Sequence, residues 1–480
     1  MKSRVQEFRG LAADSREVKP GFLFAALQGS KTDGARFIED AVKRGAAVIL
    51  GEPGLAERVR KLGVGFIPAE NPRLELSVMA AEYYALQPAC VAAVTGTNGK
   101  TSVASFLRQI WAYQGRKAAS LGTLGVHSPS GHVSLGHTTP DPVMLHAQLA
   151  RLKREGVEYL ALEASSHGLD QFRLDGVQIS AGAFTNITRD HLDYHATFAE
   201  SLKAKLRLFE VLVKDGGAAV VNMDAAHAGD FAAAAEKRRL NLLTVGARGE
   251  TLRLIDQIPH PAGQRLVFRY QGKEVKVALP LAGMFQGSNA LVSAGLALGL
   301  GDSADKVFGA LEVIKGAPGR MELVAQARHG APIYVDYAHT PDAIETVLLA
   351  LRPHVKGRLH IVFGCGGNRD KGKRPLMGKA AARYADSIVV TDDNPRFEDP
   401  AIIRRETLAG APGAREVGNR AEAIRQSIAA LGPDDALVLA GKGHEESQIV
   451  GDEPQPFSDR TEAVKAARAL GGEALGEMAA

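Results

Sequence analysis

Val91-Ala-Ala-Val-Thr95-Gly96-Thr97-Asn98-Gly99-Lys100-Thr101-Ser102 reads as a short buried strand, a glycine loop and the start of a helix. A loop of this kind turns several backbone N–H groups toward a polyphosphate. The lysine neutralises its charge, and the threonine hydroxyl reaches a Mg²⁺ ion. The match to the usual phosphate-loop pattern is imperfect, because Val94 stands where the first glycine is expected. A glycine-rich turn with an incidental Gly-Lys-Thr is the alternative, and the flanking strand and helix argue against it.

Short apolar runs recur outward from this stretch, at 47–50, 91–94, 159–162, 181–184, 218–221, 359–363, 387–390 and 436–439. Helix-like segments at 103–113, 198–213 and 379–384 alternate with them. Fully buried strands alternating with helices predict an α/β protein with largely parallel sheets. At 480 residues the chain is long enough for about three domains. Pro88 and the punctuation at 316–319 divide it into 1–88, 89–318 and 319–480. The expectation is a small N-terminal α/β domain, a central phosphate-loop domain and a C-terminal Rossmann-like domain. The strand ends carry Thr95-Gly96, Glu163, Thr185-Asn186, Asp336, Gly364, Thr391-Asp392 and Gly441, where this architecture gathers ligands.

Composition excludes several classes. A hydrophobic content of 45% with 23% charged residues is that of a globular chain, not a disordered one. The balance of 58 basic to 54 acidic residues is no nucleic-acid footprint. The one dense basic run, 369–374, lies among glycines and suits small anions better than a duplex. No apolar run is long enough to span a membrane, and the N-terminus lacks a signal-peptide core. Two cysteines, Cys90 and Cys365, rule out a disulfide framework and fit a reducing cytoplasm. Neither has the partners of a covalent nucleophile. The 52 glycines point to many tight turns or close backbone approaches. The Ala/Gly/Glu string from Leu470 is expected to fray.

Glu163 and the imidazoles of the segment from Arg189 to His195 could converge on cations beside the phosphates. Lys205 lies three residues after Leu202, beside a stripe of Phe198, Leu202, Leu206 and Phe209 at helical spacing. Burial would favour its neutral amine, which can take up CO₂ as a carbamate. On the residues alone a snorkelling lysine is the preferred reading.

At these residues the sequence resembles the Mur ligases, ATP-dependent amide-forming enzymes of peptidoglycan precursor synthesis, and hence of cell-wall biogenesis, cell shape and division. Their distinctive phosphate loop is the Thr95-Gly-Thr-Asn-Gly-Lys-Thr101 found here, so Val94 is no defect. Further motifs follow in the family's order: Thr138-Thr-Pro140, Glu163 to Leu169, Asn186 to His195, Gly319-Arg-Met-Glu322, Asp336 to Pro341, Phe363 to Arg374, Asp393-Asn-Pro-Arg396 and Gly441 to Glu445. The resemblance spans nearly the whole chain and is nearest to the diaminopimelate-adding branch.

The resemblance implies roles residue by residue. Ser15, Ser30, Lys31 and Thr32 would hold the UDP moiety of a nucleotide-sugar peptide, UDP-N-acetylmuramoyl-L-Ala-D-Glu. Thr138, Thr139, Ser165, Gln171 and Arg173 would hold its muramoyl-peptide part. Gly96, Thr97, Asn98, Gly99, Lys100, Thr101 and Ser102 would cradle the ATP phosphates. Thr101 and Glu163 would hold one Mg²⁺, with His191 and Lys205, as a CO₂-derived carbamate, near a second. That role reverses the preference for a snorkelling Lys205. Catalysis would rest on Lys100, Glu163, His191 and Lys205. Asn289, Arg320 and Asp336 would contact ATP around its base, phosphates and ribose respectively, although Gln286 departs from the family's Phe-Asn-x-x-Asn pattern. Arg369, Asp393, Asn394, Pro395, Arg396, Gly441 and Glu445 would form the pocket for diaminopimelate, Arg396 gripping its distal carboxylate. His339 is a candidate base for the incoming amine. A cytoplasmic monomer with small-molecule partners is expected. The rivals are a lysine-adding relative, folylpolyglutamate synthetase, and a non-catalytic nucleotide-binding protein on the same fold.

Overall fold

The computed structural model describes residues 8–29, 33–188, 197–261 and 263–475. Ser30, Lys31, Thr32 and His191 therefore lie outside the described residues. The chain forms two compact units, one of residues 1–250 and 292–306, the other of residues 251–291 and 307–480.

The first unit begins with four parallel strands, Gly10–Ala12, Phe22–Ala25, Val48–Gly51 and Gly65–Pro68, each hydrogen-bonded to the next in chain order. Its main sheet runs Asn241–Gly246, Val213–Asn222, Ile179–Phe184, Cys90–Thr95, Tyr159–Glu163 and Ala118–Gly122, all parallel. Two antiparallel strands, Gly125–Ser128 and Gly131–Val133, extend it. Cys90–Thr95 thus lies between Ile179–Phe184 and Tyr159–Glu163. Its residues from Val91 to Thr95 are buried, as strands covered by helices on both faces require. The sheet order reverses beside this strand, so Thr95, Glu163 and Thr185 end side by side.

The predicted helix over 198–213 is shorter than expected. Phe198–Arg207 is α-helical, Leu208–Leu212 is a wider π-type turn, and Val213 opens a strand. Widening the last turn keeps Leu208, Phe209 and Leu212 all buried. At the other end a capping box fixes the start: Glu200 N donates to Thr197 Oγ1, and Thr197 N to the Glu200 carboxylate.

The second unit carries the antiparallel strands Leu252–His260, Gly263–Tyr270 and Lys273–Leu279. It also carries a seven-stranded sheet ordered Arg415–Glu416, Ser387–Val390, Leu359–Phe363, Ala436–Ala440, Pro332–Asp336, Glu322–Gln326 and Glu473–Ala474. The first five are parallel and the last two pairings antiparallel. The C-terminal string does not fray through its described part. Glu473 and Ala474 pair with Gln326 and Ala325, because the edge of the sheet is open to them.

Candidate active site

In the first unit, the phosphate loop is held in shape before any ligand arrives. Thr97 N donates to Asn186 O at 2.8 Å, and Asn98 N to Asn186 Oδ1 at 2.9 Å. Thr185 Oγ1 donates to Asn98 O at 2.6 Å. Gly96 has φ +147°, and a Cβ there would sit 2.0 Å from Thr185 Oγ1. Gly99, at φ +89°, precedes the helix Lys100–Tyr113 without a side-chain cap, so the first N–H groups of that helix face the loop. Lys100 Nζ donates to the carbonyls of Gly96 and Thr97, both at 2.8 Å. A narrow glycine cradle, uncapped N–H groups and one ammonium fit a polyphosphate.

Glu163 closes the same site. It is 2% exposed, and its Oε2 accepts from Thr101 Oγ1 at 3.0 Å. Thr123 contributes two further donors, its N to Oε1 at 2.9 Å and its Oγ1 to Oε2 at 3.1 Å. Gly122 is needed here, since a Cβ would fall 2.1 Å from Glu163 Oε1. A carboxylate beside a threonine hydroxyl is the all-oxygen donor set that Mg²⁺ accepts, with substrate phosphates completing its shell.

Thr123 also links this carboxylate to the peptide-binding candidates. Its hydroxyl lies 2.9 Å from Thr138 Oγ1. Thr139 Oγ1 donates to Glu163 O and accepts from Ser165 N and Ser165 Oγ. Arg173 donates to Thr139 O and, through Nη2 at 2.7 Å, to Gln171 Oε1. Arg73, on the helix Pro72–Tyr84, reaches Gln171 Oε1 at 3.3 Å. Thr138, Thr139, Ser165, Gln171 and Arg173 therefore form one hydrogen-bonded group. Ser15 is buried and gives its hydroxyl to Asp40, which together with Arg44 holds that carboxyl below its ordinary pKa. Lys205 is 1% exposed, and its Nζ donates to Ser201 Oγ at 2.8 Å. It does not snorkel.

In the second unit, Asp336 ends its strand and accepts from Met321 N at 2.7 Å and Ala338 N at 2.8 Å. Burial raises its pKa, against the opposing pull of Arg320 and these two amides. The Arg320 guanidinium lies over the Tyr337 ring, 4.7 Å from its centroid. Gln286, the departure from the family pattern, is fully buried and supports both neighbours. It accepts from Asn289 Nδ2 at 2.9 Å and donates to Arg320 O at 3.3 Å. His339 Nδ1 is 2.7 Å from Tyr337 O. A carbonyl only accepts, so the ring proton sits on Nδ1 and Nε2 carries the lone pair.

The amino-acid candidates gather at the carboxyl ends of Leu359–Phe363, Ser387–Val390 and Ala436–Ala440. Arg396 has φ +52°, an unfavourable conformation for a side-chain-bearing residue. It is held by Arg396 N donating to Ile449 O and Gly451 N donating to Arg396 O. Its Nη1 donates to Gly367 O at 3.0 Å and Asn394 O at 3.4 Å, which fixes the plane of the guanidinium. Asn394 Nδ2 donates to Glu445 Oε2 at 3.0 Å, and Asn394 N to Asp393 Oδ1 at 2.7 Å. Gly441, at φ +110°, turns beside Asp393, whose Oδ2 would be 2.9 Å from a Cβ. Pro395 O approaches Gly367 so closely that a Cβ there would lie 1.8 Å from it. Arg369 Nη1 stands 3.5 Å from Asn368 O.

Arg374 corrects the anion reading of the 369–374 run. It is fully buried and ion-paired with Glu398 and Glu406, so it braces the loop instead of receiving a ligand. Burial disfavours the thiolate form of both cysteines: it pushes Cys90 up to about 11 and raises Cys365 as well. Thr123, Arg73 and Lys442 are functional candidates that sequence reasoning missed. Of these only Lys442 carried a signal, lying inside the Gly441–Glu445 motif.

Three family descriptions match in order: "Mur ligase family, catalytic domain" over residues 7–84, "Mur ligase middle domain" over 94–297, and "Mur ligase, glutamate ligase domain" over 319–443. The UDP-N-acetylmuramoyl-L-alanyl-D-glutamate–2,6-diaminopimelate ligase of Bradyrhizobium diazoefficiens is 55% identical, over 96% of this chain and 95% of its own length. Its namesake from Brucella melitensis is 52% identical, over 96% and 94%. A solved structure of a ligase with the same name is 34% identical, with a TM-score of 0.72 over 96% of this chain and 95% of that one. A Mycobacterium tuberculosis folylpolyglutamate synthase matches 77% of this chain at 19% identity and a TM-score of 0.61, a likeness of fold alone. The order of the motifs, the mostly parallel sheets and these relatives agree: the chain belongs to the Mur ligase family.

Proposed function

We propose that the protein is an ATP-dependent ligase joining meso-2,6-diaminopimelate to the D-Glu γ-carboxylate of UDP-N-acetylmuramoyl-L-Ala-D-Glu, in peptidoglycan precursor synthesis. The observation that carries this is the Arg396 site. Arg396 takes a left-handed backbone conformation and its guanidinium is fixed on Gly367 O and Asn394 O, while Asn394 also holds Glu445, in a chain whose relatives at 50–55% identity bear that name. Diaminopimelate differs from lysine by a distal carboxylate, which a fixed guanidinium can grip at two points. With lysine that fork would stay unmatched, a penalty of about 1–3 kcal/mol.

The division into 1–88, 89–318 and 319–480 then gives one domain to each substrate. The D-Glu γ-carboxylate attacks the γ-phosphate of ATP, forming an acyl phosphate and releasing ADP; the diaminopimelate amine, giving up its proton, then attacks the acyl carbon, and inorganic phosphate leaves. Carboxylate and phosphates are all anionic, so charge neutralisation is the first task. Lys100 supplies a cation at the loop. Thr101 and Glu163 would hold one Mg²⁺; His191 and Lys205, as a carbamate, would serve a second. Held there, the ions would offset the charge of the polyphosphate and of the transferring group. Burial of Lys205 favours the neutral amine that reacts with CO₂, and His339, with its lone pair on Nε2, is a base for the incoming amine. Thr138, Thr139, Ser165, Gln171 and Arg173 orient the muramoyl peptide, and Ser15 with the 30–32 segment its UDP. A cytoplasmic monomer is part of the same proposal and rests on the likeness to the Mur ligases. No helix among the described residues is long and apolar enough to cross a membrane.

Phosphate release is measured with ATP, the muramoyl dipeptide and each of meso-diaminopimelate and lysine. Turnover with diaminopimelate, selectively lost in Arg396→Ala, is expected. Equal use of lysine by the wild type would overturn the pocket assignment.

A further inference from the structure

Between Gly441 and Glu445, both expected to meet the incoming amino acid, stands Lys442, with no exposed surface at all. An ammonium taken wholly out of water is costly unless its N–H groups find partners. Lys442 Nζ donates to Asn394 Oδ1 at 3.0 Å and to Glu445 Oε2 at 3.1 Å. Ile449 N donates to the same Asn394 Oδ1 at 3.0 Å. Two donors facing one atom of the amide make that atom the oxygen, so the Asn394 NH₂ must face the other way. There it donates to Glu445 Oε2. One Glu445 oxygen is thereby occupied by two internal donors, and an incoming ammonium has to be met through Oε1.

The backbone around Lys442 keeps the side chain inside. Gly441 and Gly443 both have positive φ, and a Cβ on Gly443 would lie 2.7 Å from Tyr337 Cβ. The turn is wound too tightly against Tyr337 and Asp393 for the lysine to swing out without unwinding it.

We propose that Lys442 is a positioning residue for the amino-acid substrate: without touching it, the buried ammonium sets the orientation of the Asn394 amide and the Glu445 carboxylate that do. This rests on the reading of the pocket as the diaminopimelate site. What the ammonium adds is the charged anchor: with Ile449 N alone setting the amide, Glu445 keeps the Asn394 Nδ2 donor but loses its only internal cation among the described contacts.

The test is Lys442→Met, which keeps length and burial but removes the donors, compared with Glu445→Gln and the double variant. The KM for meso-diaminopimelate should rise about tenfold or more, with the KM values for ATP and the muramoyl dipeptide within about twofold of wild type. In the double variant the lysine should add less than about twofold to the effect of Glu445→Gln, because it acts through that carboxylate. An unchanged diaminopimelate KM, a uniform rise for all three substrates, or fully multiplicative effects would each overturn the proposal. If Lys442→Met does not fold, Lys442→Gln keeps an N–H donor without charge. A raised diaminopimelate KM in that variant supports the role, and wild-type values refute it. Wild-type protein that turns over no diaminopimelate brings down the pocket reading and this proposal with it. Normal wild-type turnover with a KM indifferent to residue 442 brings down this proposal alone.

Discussion

Gly96→Ala tests whether the phosphate loop works as a preformed cradle. The added methyl would lie 2.0 Å from Thr185 Oγ1, 2.9 Å from Asn186 O and 3.1 Å from Asn186 N. Two of those atoms are backbone, and the Thr185 hydroxyl is tied to Asn98 O, so none can yield cheaply. The loop must instead move, breaking the bonds that Asn186 makes to Thr97 N and Asn98 N. The backbone conformation at φ +147° adds strain of about 1–3 kcal/mol for a residue with a Cβ. Overpacking adds about 1–3 kcal/mol. A combined cost of about 2–6 kcal/mol on the binding-competent loop corresponds to a roughly 30- to 25,000-fold loss in kcat/KM for ATP. Phosphate release across an ATP titration measures this, with nucleotide binding followed directly by calorimetry and folding by thermal melting. Gly115→Ala is the control. Its φ is +77°, but no atom lies within 4 Å of the new methyl, so it pays strain without crowding and leaves ATP use unchanged. A Gly96→Ala protein with wild-type kcat/KM for ATP would refute the cradle.

Gln286→Ala removes the buried amide that bridges Asn289 and Arg320; the KM for ATP should rise about five- to thirtyfold at about 1–2 kcal/mol of lost support, measured by the same titration. Lys205→Ala should abolish turnover, with partial recovery on adding short carboxylates; full activity in the variant would exclude a carbamate. His146 is buried and its pKa is lowered from 6.5 to about 4 by desolvation. The unfolded chain therefore binds a proton near pH 6.5 that the folded chain refuses until about pH 4, so stability falls as pH drops through that window. The difference between wild type and His146→Leu should shift by about 2–3 kcal/mol between pH 7 and 4.5, read from urea unfolding midpoints, and parallel curves would contradict it.

The phosphate loop was legible because its parts are contiguous. Strand, glycine turn and lysine lie within 91–102, and local backbone preference decides their conformation. Lys205 was only half legible: helical spacing puts it beside the apolar stripe, but spacing alone favoured a snorkelling side chain, and it was the resemblance that reversed this. The 198–213 helix was read too long, because its end depends on which residues a neighbouring sheet must cover. Arg374 was misread because its partners Glu398 and Glu406 are remote in sequence. Nothing local distinguishes a braced arginine from one awaiting an anion.

By itself the sequence determined the α/β class, the alternation of strands and helices, and the chemistry brought to each strand end, all of which follow from local periodicity and residue type. Only the tertiary structure decided which of those side chains answer one another. Thr123 meets Glu163 across adjacent strands, Gln286 holds Asn289 and Arg320, and Lys442 is enclosed against Asn394 and Glu445. A hydrogen bond needs its donor and acceptor within about 3 Å and aligned, and between distant segments that condition is met only when the sheets have packed.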